Sequence, residues 1–567
     1  MLASYAGALG FPPVFDDGIV AEAPWRELRP RALAHASFAL TVALAGLDVR
    51  ILRLENLLLH AGTALALFAF CRNLLGLRQP ASGGAPREAI AFAAAAVFAL
   101  HPVTVYAAGY VAQRTIVMAT LFSVLSLNTW LLGLTTSRRR WFVASVVLYG
   151  LATLCKEHAV MLPALAAVLT LAMRSEASEV RVPIIAALAA EVLIAVFVVL
   201  GARAMIGTAY EPDVAQVMGT PGADLLWRSV LTQALLFFRY GLIWCLPLPA
   251  WMSVDLRWPL APSSFDPAGL AGLLAFAVYG AVALRLVFAR GRPALVGFAL
   301  LWPWLLYFTE FAVVRAQEPF VLYRSYLWAP GLVILAAMAF GRLPARALGW
   351  SALAVCLALS LVMRERLSTF ASDLALWDDA VRKLPADPAP FADRAISNRG
   401  LALLNAGRRA EALRDFDVAI GLNPAGTNAY ANRAALYSEV GDVARAEADL
   451  GEAVRLQPRF PEAYAARCGL RVLRGDVDAA RLDCDTAFEQ EPRLVIVRVN
   501  RALLFAASGQ LGQAKGELDA VIAAHPGHAL ALMNRGLLNE RLGRAAEAGA
   551  DLGRACRAGL RAACRAG

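Results

Sequence analysis

The chain has 567 residues, of which 59% are hydrophobic and only 17% charged, with a formal net charge of +10. That length exceeds what a single hydrophobic core organises, so at least two domains are expected, and a charged share well below the ~25% of ordinary soluble domains excludes a wholly water-solvated protein. Most of the positive excess is Arg in short loops beside apolar runs, which membrane topology explains without nucleic acid, and no nucleic-acid partner is expected.

In chain order, the segment 1–11 before the Asp16-Asp17 loop is too short to span and lacks the positive n-region and cleavage site of a signal peptide. A truncated first helix or a start codon upstream is expected. Apolar runs of about 20 residues then predict spans at 51–70, 89–106, 115–134, 182–205, 267–288, 293–313, 328–340 and 348–363. The run 141–173 is too long for one span and holds Lys156, Glu157 and His158 at its middle, so it predicts two short helices meeting at the far face. The run 225–248, with Arg239 inside it, predicts a re-entrant or interfacial segment. Arg72, Arg78 and Arg87, then Arg138 to Arg140, Arg174 and Arg181, Arg290 and Arg292, and Arg342 and Arg346 all fall on one side of this alternation, which is therefore cytoplasmic. The opposite face receives 15–31, 101–114, 156–158, 210–224, 251–266 and 314–326, and the chain beyond Met363 emerges there too.

Beyond Arg364 the text changes to an internal repeat. Gly407, Gly441, Gly475, Gly509 and Gly543 are spaced by 34, as are Pro424, Pro458, Pro492 and Pro526, and Ala412, Ala446, Ala480, Ala514 and Ala548. Asn-Arg pairs begin at Asn398, Asn432, Asn500 and Asn534. Gly closes the turn between two helices, Ala lets them approach, and Pro ends the second helix. This looks like the tetratricopeptide repeat in five copies with a terminal capping helix, over 396–567. Ala380-Val381-Arg382 with Pro385 echoes Ala453-Val454-Arg455 with Pro458, so 367–395 reads as a helical linker or half-repeat. Cys468 with Cys484, and Cys556 with Cys564, are disulfide candidates in an oxidising compartment, with buried thiols as the plainer reading. Arg on the solenoid reads mostly as solvated surface.

The informative residues of the first part are polar groups at the non-cytoplasmic span ends: Asp16, Asp17, Arg26, Arg29, Arg53, His60, His101, Arg114, Lys156, Glu157, His158, Asp255, Glu318 and Arg324. Carboxylates, Arg and Lys gathered beside lipid suit a site where cations hold a lipid-phosphate leaving group while a carboxylate takes a proton from an incoming hydroxyl. His60 and His101 read more simply as hydrogen-bonded packing residues, and no metal-ligand spacing is present.

Phe15-Asp16-Asp17, Asn56-Leu57-Leu58-Leu59-His60, His101-Pro102-Val103 leading to Tyr110-Val111-Ala112-Gln113-Arg114, Lys156-Glu157, and Glu318 followed by Arg324-Ser325-Tyr326-Leu327 occur in that order. With the trailing repeats, the set resembles the transmembrane and tetratricopeptide-repeat O-mannosyltransferases and their bacterial relatives over nearly the whole chain. The resemblance implies an all-α chain, with a polytopic GT-C-like transmembrane helical domain at 1–366 followed by the α-solenoid. It implies an inverting glycosyltransferase that uses a polyprenyl-phosphate-linked sugar, with no cofactor and with any metal requirement left open. Carried over to this sequence, Asp16 is the general base, supported by Asp17; Arg114, Lys156 and Arg324 hold the donor phosphate; and Glu157, His101, Glu318, Asn56 and His60 support them. The family usually has a carboxylate or amide where Tyr106 stands, and often a His where Arg53 stands, so the sugar or the acceptor differs.

Plainer readings stand beside these. Asp16 and Asp17 are also good N-caps, Lys156 and Glu157 also suit an ion pair at a helix tip, and Arg324 also suits snorkelling to the interface. The expected setting is a bacterial inner membrane with the repeats in the periplasm, the lipid bilayer around the spans, a protein or glycan acceptor, and a peptide or protein in the repeat groove. Two other classes remain open: a membrane-anchored scaffold for periplasmic assembly, and a transporter of lipid-linked substrates.

Overall fold

The computed structural model describes residues 5–14, 31–76, 85–174, 180–209, 222–385 and 390–566. They are helical throughout, and their one strand-like pairing is an isolated antiparallel bridge between Leu256 and Phe320. The chain divides into two compact units, Met1–Phe391 and Ala392–Gly567.

In the first unit, six helices are long and apolar enough to cross a membrane: Val49–Gly76, Val111–Thr136, Arg181–Gly201, Pro267–Val287, Arg292–Phe311 and Ala345–Ala371. They differ in environment. The apolar stretch of Val111–Thr136 is 67% buried, whereas those of Arg181–Gly201 and Ala345–Ala371 are 17% buried and expose Val182, Ile185, Phe197 and Leu361. Trp130 on the central helix meets Phe142 edge-on at 5.1 Å, and a side chain on Gly133 would strike that ring at 2.8 Å. A glycine is needed there for close approach.

Two predicted elements take a form the sequence left open or did not show, and one helix was not predicted. The run 89–106 is not one helix: Arg87–Leu100 ends at His101, whose backbone is extended, and Pro102–Ala108 continues at 51°. Pro102 disfavours helical geometry at His101 and has no N–H to continue the ladder. The run 225–248, expected to be re-entrant or interfacial, is one continuous helix, Gly222–Cys245, and is not among the helices long and apolar enough to cross a membrane; Arg239 within it lies over the Trp251 ring at 4.5 Å. The helix Ala32–Ala45 has no counterpart among the predicted spans. By contrast 141–173 forms two helices, Arg139–Cys155 and Leu162–Ala172, around the turn Glu157–Met161.

After Ala345–Ser368 the helix Asp373–Arg382 starts on Ser372, whose hydroxyl accepts from Ala375 N at 3.1 Å. Arg366 is buried and donates to Asp379 at 3.1 and 3.2 Å and to the Met252 carbonyl at 2.7 Å. Lys383 joins Asp379 at 2.6 Å and the same carbonyl at 2.7 Å. These bonds explain why 367–391 groups with the first unit.

The second unit pairs Ala392–Asn405 with Arg409–Leu422, Thr427–Glu439 with Val443–Leu456, Pro461–Arg474 with Val477–Gln490, Val495–Ala507 with Leu511–Ala524, and Ala529–Arg541 with Ala545–Arg557. The five spaced glycines all have φ between +73° and +80° with open space around them, so backbone conformation, not crowding, requires glycine. The repeating Ala412, Ala446, Ala480, Ala514 and Ala548 are buried between the paired helices. A ladder of ion pairs runs along the same period. Arg399 binds Asp415, Arg433 binds Asp449, Arg467 binds Asp483 and Arg535 binds Asp551, each through two oxygens at 2.6–2.8 Å, and Arg501 binds Glu517 at 3.2 Å. The arginines of the Asn-Arg pairs are therefore part-buried struts, exceptions to the expectation that Arg on the solenoid is mostly solvated surface. Cys468–Cys484 and Cys556–Cys564 are disulfide-bonded.

Candidate functional site

Where Arg139–Cys155 ends, Lys156 takes an extended backbone and the chain turns into Glu157–Met161, so Lys156, Glu157 and His158 point in successive directions. Glu157 binds the Arg31 guanidinium through both oxygens at 2.8 and 3.2 Å. His158 lies between two carboxylates, Glu157 at 3.4 Å and Glu310 at 3.4 Å. Glu310 stands on the turn Phe308–Phe311 that finishes Arg292–Tyr307, is 1% exposed, and faces Arg315 and Arg324, each at 3.2 Å. Arg324, on the turn Leu322–Leu327, also reaches the Glu318 carboxylate at 3.3 Å and the Glu318 carbonyl at 3.1 Å. Arg257, buried, pairs with Asp255 at 2.5 Å and donates to the Gln317 carbonyl at 2.6 Å.

These charges are close but not mutually satisfied. Among the described residues Lys156, 4% exposed, has no hydrogen-bond acceptor and only the Tyr323 ring at 5.8 Å. Among the described residues both His158 ring nitrogens, Arg315 Nε and Glu310 Oε1 are buried without a hydrogen bond, their contacts lying at ion-pair distance, and Arg257 Nε is buried without a hydrogen bond as well. A buried donor left unmade costs about 1–3 kcal/mol, so a group of them marks a place prepared for an acceptor from outside. Among the described residues four cations, Arg31, Lys156, Arg315 and Arg324, stand with three carboxylates, Glu157, Glu310 and Glu318, a setting that suits an anionic acceptor. Burial, then the nearby Arg31, pushes Lys156 down to about 7. Burial alone would raise Glu157, but Arg31 and Lys156 outweigh it and hold the carboxyl well below its usual range.

Of the residues singled out from the sequence, Lys156, Glu157, Glu318 and Arg324 come together here. Asp16 and Asp17 lie outside the described residues. Arg114 does not join them. It is 1% exposed and its guanidinium is spent on Asn56 Oδ1 at 2.8 Å, the Leu52 carbonyl at 3.1 Å, Ser37 at 3.3 Å and Glu55 at 2.7 Å, with the Phe38 ring at 4.1 Å. It ties three helices and leaves no evident donor for a phosphate, and Asn56 serves the same joint by donating to the Val111 carbonyl at 3.1 Å. His60 bridges Tyr326 at 2.7 Å and the Ala99 carbonyl at 3.1 Å, and His101 stacks on Trp244 at 4.3 Å and contacts its carbonyl at 3.0 Å. Both are packing residues. Arg53 holds the N-terminal segment through the carbonyls of Ala8, Phe11 and Pro12, and Tyr106 packs edge-on to Phe370 at 5.8 Å.

Sequence reasoning missed Glu310, Arg315, Arg257 and Arg31. Glu310 had a usable signal, a carboxylate inside the apolar run 293–313, where an ionisable group is a functional candidate by default. Arg31 had none. Among the described residues no three His, Cys, Asp or Glu side chains gather as a metal set.

Comparison with known proteins reaches the repeats only. A tetratricopeptide-repeat family profile matches residues 427–460. A tetratricopeptide repeat protein from Parabacteroides merdae is similar at 24% identity, covering 32% of this chain and 72% of that one, with a TM-score of 0.28. A thermophilic TPR protein from Thermus thermophilus is similar at 22%, covering 30% and 92%, with a TM-score of 0.28. YrrB, described as a TPR protein with an unusual peptide-binding site, is similar at 20%, covering 34% and 96%, with a TM-score of 0.24. Scores this low carry no argument of their own, and the repeat profile stands as the finding. No curated protein matches the chain.

Proposed function

We propose that the first unit is an inverting membrane glycosyltransferase that moves a sugar from a polyprenyl phosphate to a hydroxyl acceptor, and that the repeats recruit the acceptor. The observation that carries this reading is the buried cation cluster of Lys156, Arg315 and Arg324, with unmade hydrogen bonds at His158 and Arg315 among the described residues, in a unit rich in candidate spans. A lipid-linked phosphodiester brings one negative charge, oxygens that accept from several donors at once, and a tail that the bilayer solvates. The ordered motifs resembling the O-mannosyltransferases supply the reaction. The acceptor oxygen attacks the anomeric carbon, the bond from that carbon to the phosphate oxygen breaks, the polyprenyl phosphate leaves with the electron pair, and the acceptor proton passes to a carboxylate, for which Asp16 is the sequence candidate. Lys156, Arg315 and Arg324 replace Arg114 as the groups assigned to the phosphate. Glu310 orients Arg315 and Arg324.

Disulfides within the repeats favour an oxidising compartment, which supports a periplasmic position for them and a bacterial inner membrane for the spans. Tetratricopeptide repeats stack into a concave protein-binding surface, which supports a polypeptide acceptor. The same repeats also support a second reading, a membrane-anchored scaffold without chemistry. The test is transfer of radiolabelled sugar from membrane-embedded polyprenyl-phosphate donors to periplasmic acceptors, comparing wild type with Lys156→Met and Asp16→Asn at matched expression. Transfer in wild type that both variants abolish supports the enzyme. No transfer from a broad donor panel by folded protein leaves the scaffold.

A further inference from the structure

The loop that follows the turn Pro249–Trp251 is fastened at both ends. At its start the Met252 carbonyl, wholly buried, accepts from Arg366 and from Lys383, each at 2.7 Å, and both cations also bind Asp379. At its end Arg257 donates to the Gln317 carbonyl at 2.6 Å, and Leu256 pairs with Phe320 in the antiparallel bridge. Gln317 and Phe320 belong to the stretch that carries Arg315, Glu318 and Arg324. Between Phe311 and Leu322 that stretch forms no helix, so local hydrogen bonding does not fix where its cations sit. It is fixed from outside. On one side the helix Gly222–Cys245 holds it, with Ser229 accepting from Arg315 N at 2.9 Å, Gln233 donating to the Pro319 carbonyl at 2.7 Å and Tyr240 donating to the Val321 carbonyl at 3.0 Å. On the other side stands Arg257.

We propose that Arg257 is a positioning residue for the anion site, and that loop 252–257 makes the arrangement of Arg315, Glu318 and Arg324 depend on the docking of helix Asp373–Arg382. The identity of the anion rests on the glycosyltransferase reading; the mechanical coupling does not. Arg257's charge is met by Asp255 and its Nη1 donates to one backbone carbonyl, which leaves only Nε unmade among the described residues, so it holds the main chain next to the site. Loss of Asp379 would leave Arg366 and Lys383 without their shared carboxylate and loosen both grips on Met252. The disturbance would arrive at Gln317 through five peptide units of loop.

The bridge offers a direct reporter, because directly opposed residues in an antiparallel pair have Cβ atoms about 4.5–5.5 Å apart, within reach of an engineered disulfide after a small adjustment. In the full chain, Leu256→Cys with Phe320→Cys is expected to cross-link on mild oxidation. Adding Asp379→Leu is expected to slow that reaction by about fivefold or more and to weaken binding of undecaprenyl phosphate in nanodiscs by about tenfold. The cross-link, once formed, should return binding to within about threefold of the parent. Lys383→Met, which removes one of the two grips, is the milder second variant should Asp379→Leu fail to fold. Arg257→Met should weaken binding and Arg257→Lys should recover part of it. Cross-linking at the parent rate in folded Asp379→Leu or Lys383→Met overturns the proposal. Slower cross-linking in a protein whose parent does not bind undecaprenyl phosphate upholds the coupling and rejects the donor reading.

Discussion

Both units are built with Arg beside carboxylates, and they use the pairing in opposite ways. In the repeats most strut arginines meet a carboxylate edge-on: Arg399, Arg433, Arg467 and Arg535 each reach both oxygens of one Asp at 2.6–2.8 Å, and Arg433 and Arg535 each reach a second Asp at 2.7 Å. The pattern recurs along the stack, and the unmade bonds it leaves, such as those at Arg501 Nε and Asn534 Nδ2, lie in separate repeats. In the membrane unit Glu310 serves Arg315, Arg324 and His158 at once with imperfect alignment, and Lys156 has no acceptor among the described residues. A satisfied ion pair is framework, whereas a crowded and incomplete one holds capacity for a ligand. The difference lies in how many unmade bonds gather at one place, not in residue type.

The sharpest way to break this contrast is to delete one cation from each side. Lys156→Met is expected to lower sugar transfer by about a hundredfold or more, as for loss of a group that stabilises a leaving phosphate, while Arg433→Met leaves the chemical step unchanged; single-turnover assays with equal amounts of folded protein check both. Glu310→Ala is expected to destabilise the first unit by about 3–5 kcal/mol, the cost of stranding buried charges, read as a fall in thermal midpoint in detergent, with Glu310→Gln milder. Reduction of Cys468–Cys484, which closes a separation of 16 residues, is expected to cost the repeats about 3 kcal/mol, measured by chemical denaturation with and without reductant. Asp449→Ala should cost about 1 kcal/mol, because Arg433 keeps Asp417 and remains partly exposed.

The smallest expected effect is in pH. With Lys156 pushed down to about 7, the ammonium form dominates below that value and is lost above it, so donor KM should rise as pH passes from about 6 to about 8. Lys156→Arg, charged throughout, should flatten the profile. A wild-type KM that stays level across that window removes Lys156 from donor binding.

Much of this could be read before any coordinates. The repeats were legible because a 34-residue period writes the same turn glycine, packing alanine and terminal proline five times over, less one proline. Lys156, Glu157, Glu318 and Arg324 were legible because charge at span ends is costly and seldom idle. Arg114 misled, because a buried Arg that laces helices together looks, in sequence, like one that awaits a phosphate. Its difference lies in Glu55, Ser37 and the Leu52 carbonyl, whose convergence depends on how three helices cross. Arg257 and Arg315 stayed hidden for a related reason: they sit in irregular stretches where no periodicity says which way a side chain points. Arg239 marked 225–248 as unusual for a span, but that Trp251 partners it is something spacing alone does not reveal.

The disulfides set a direction for how the solenoid comes apart. A stack held by nearest-neighbour contacts ordinarily frays from whichever end is weaker. Cys468–Cys484 staples the third pair of helices in its interior, and Cys556–Cys564 staples the last turn. The two pairs that precede the first staple, between Ala392 and Leu456, carry no covalent tie. Under oxidising conditions the array is expected to open first within the unstapled pairs between Ala392 and Leu456 and to stall at the third repeat, and amide exchange should record that gradient along the chain.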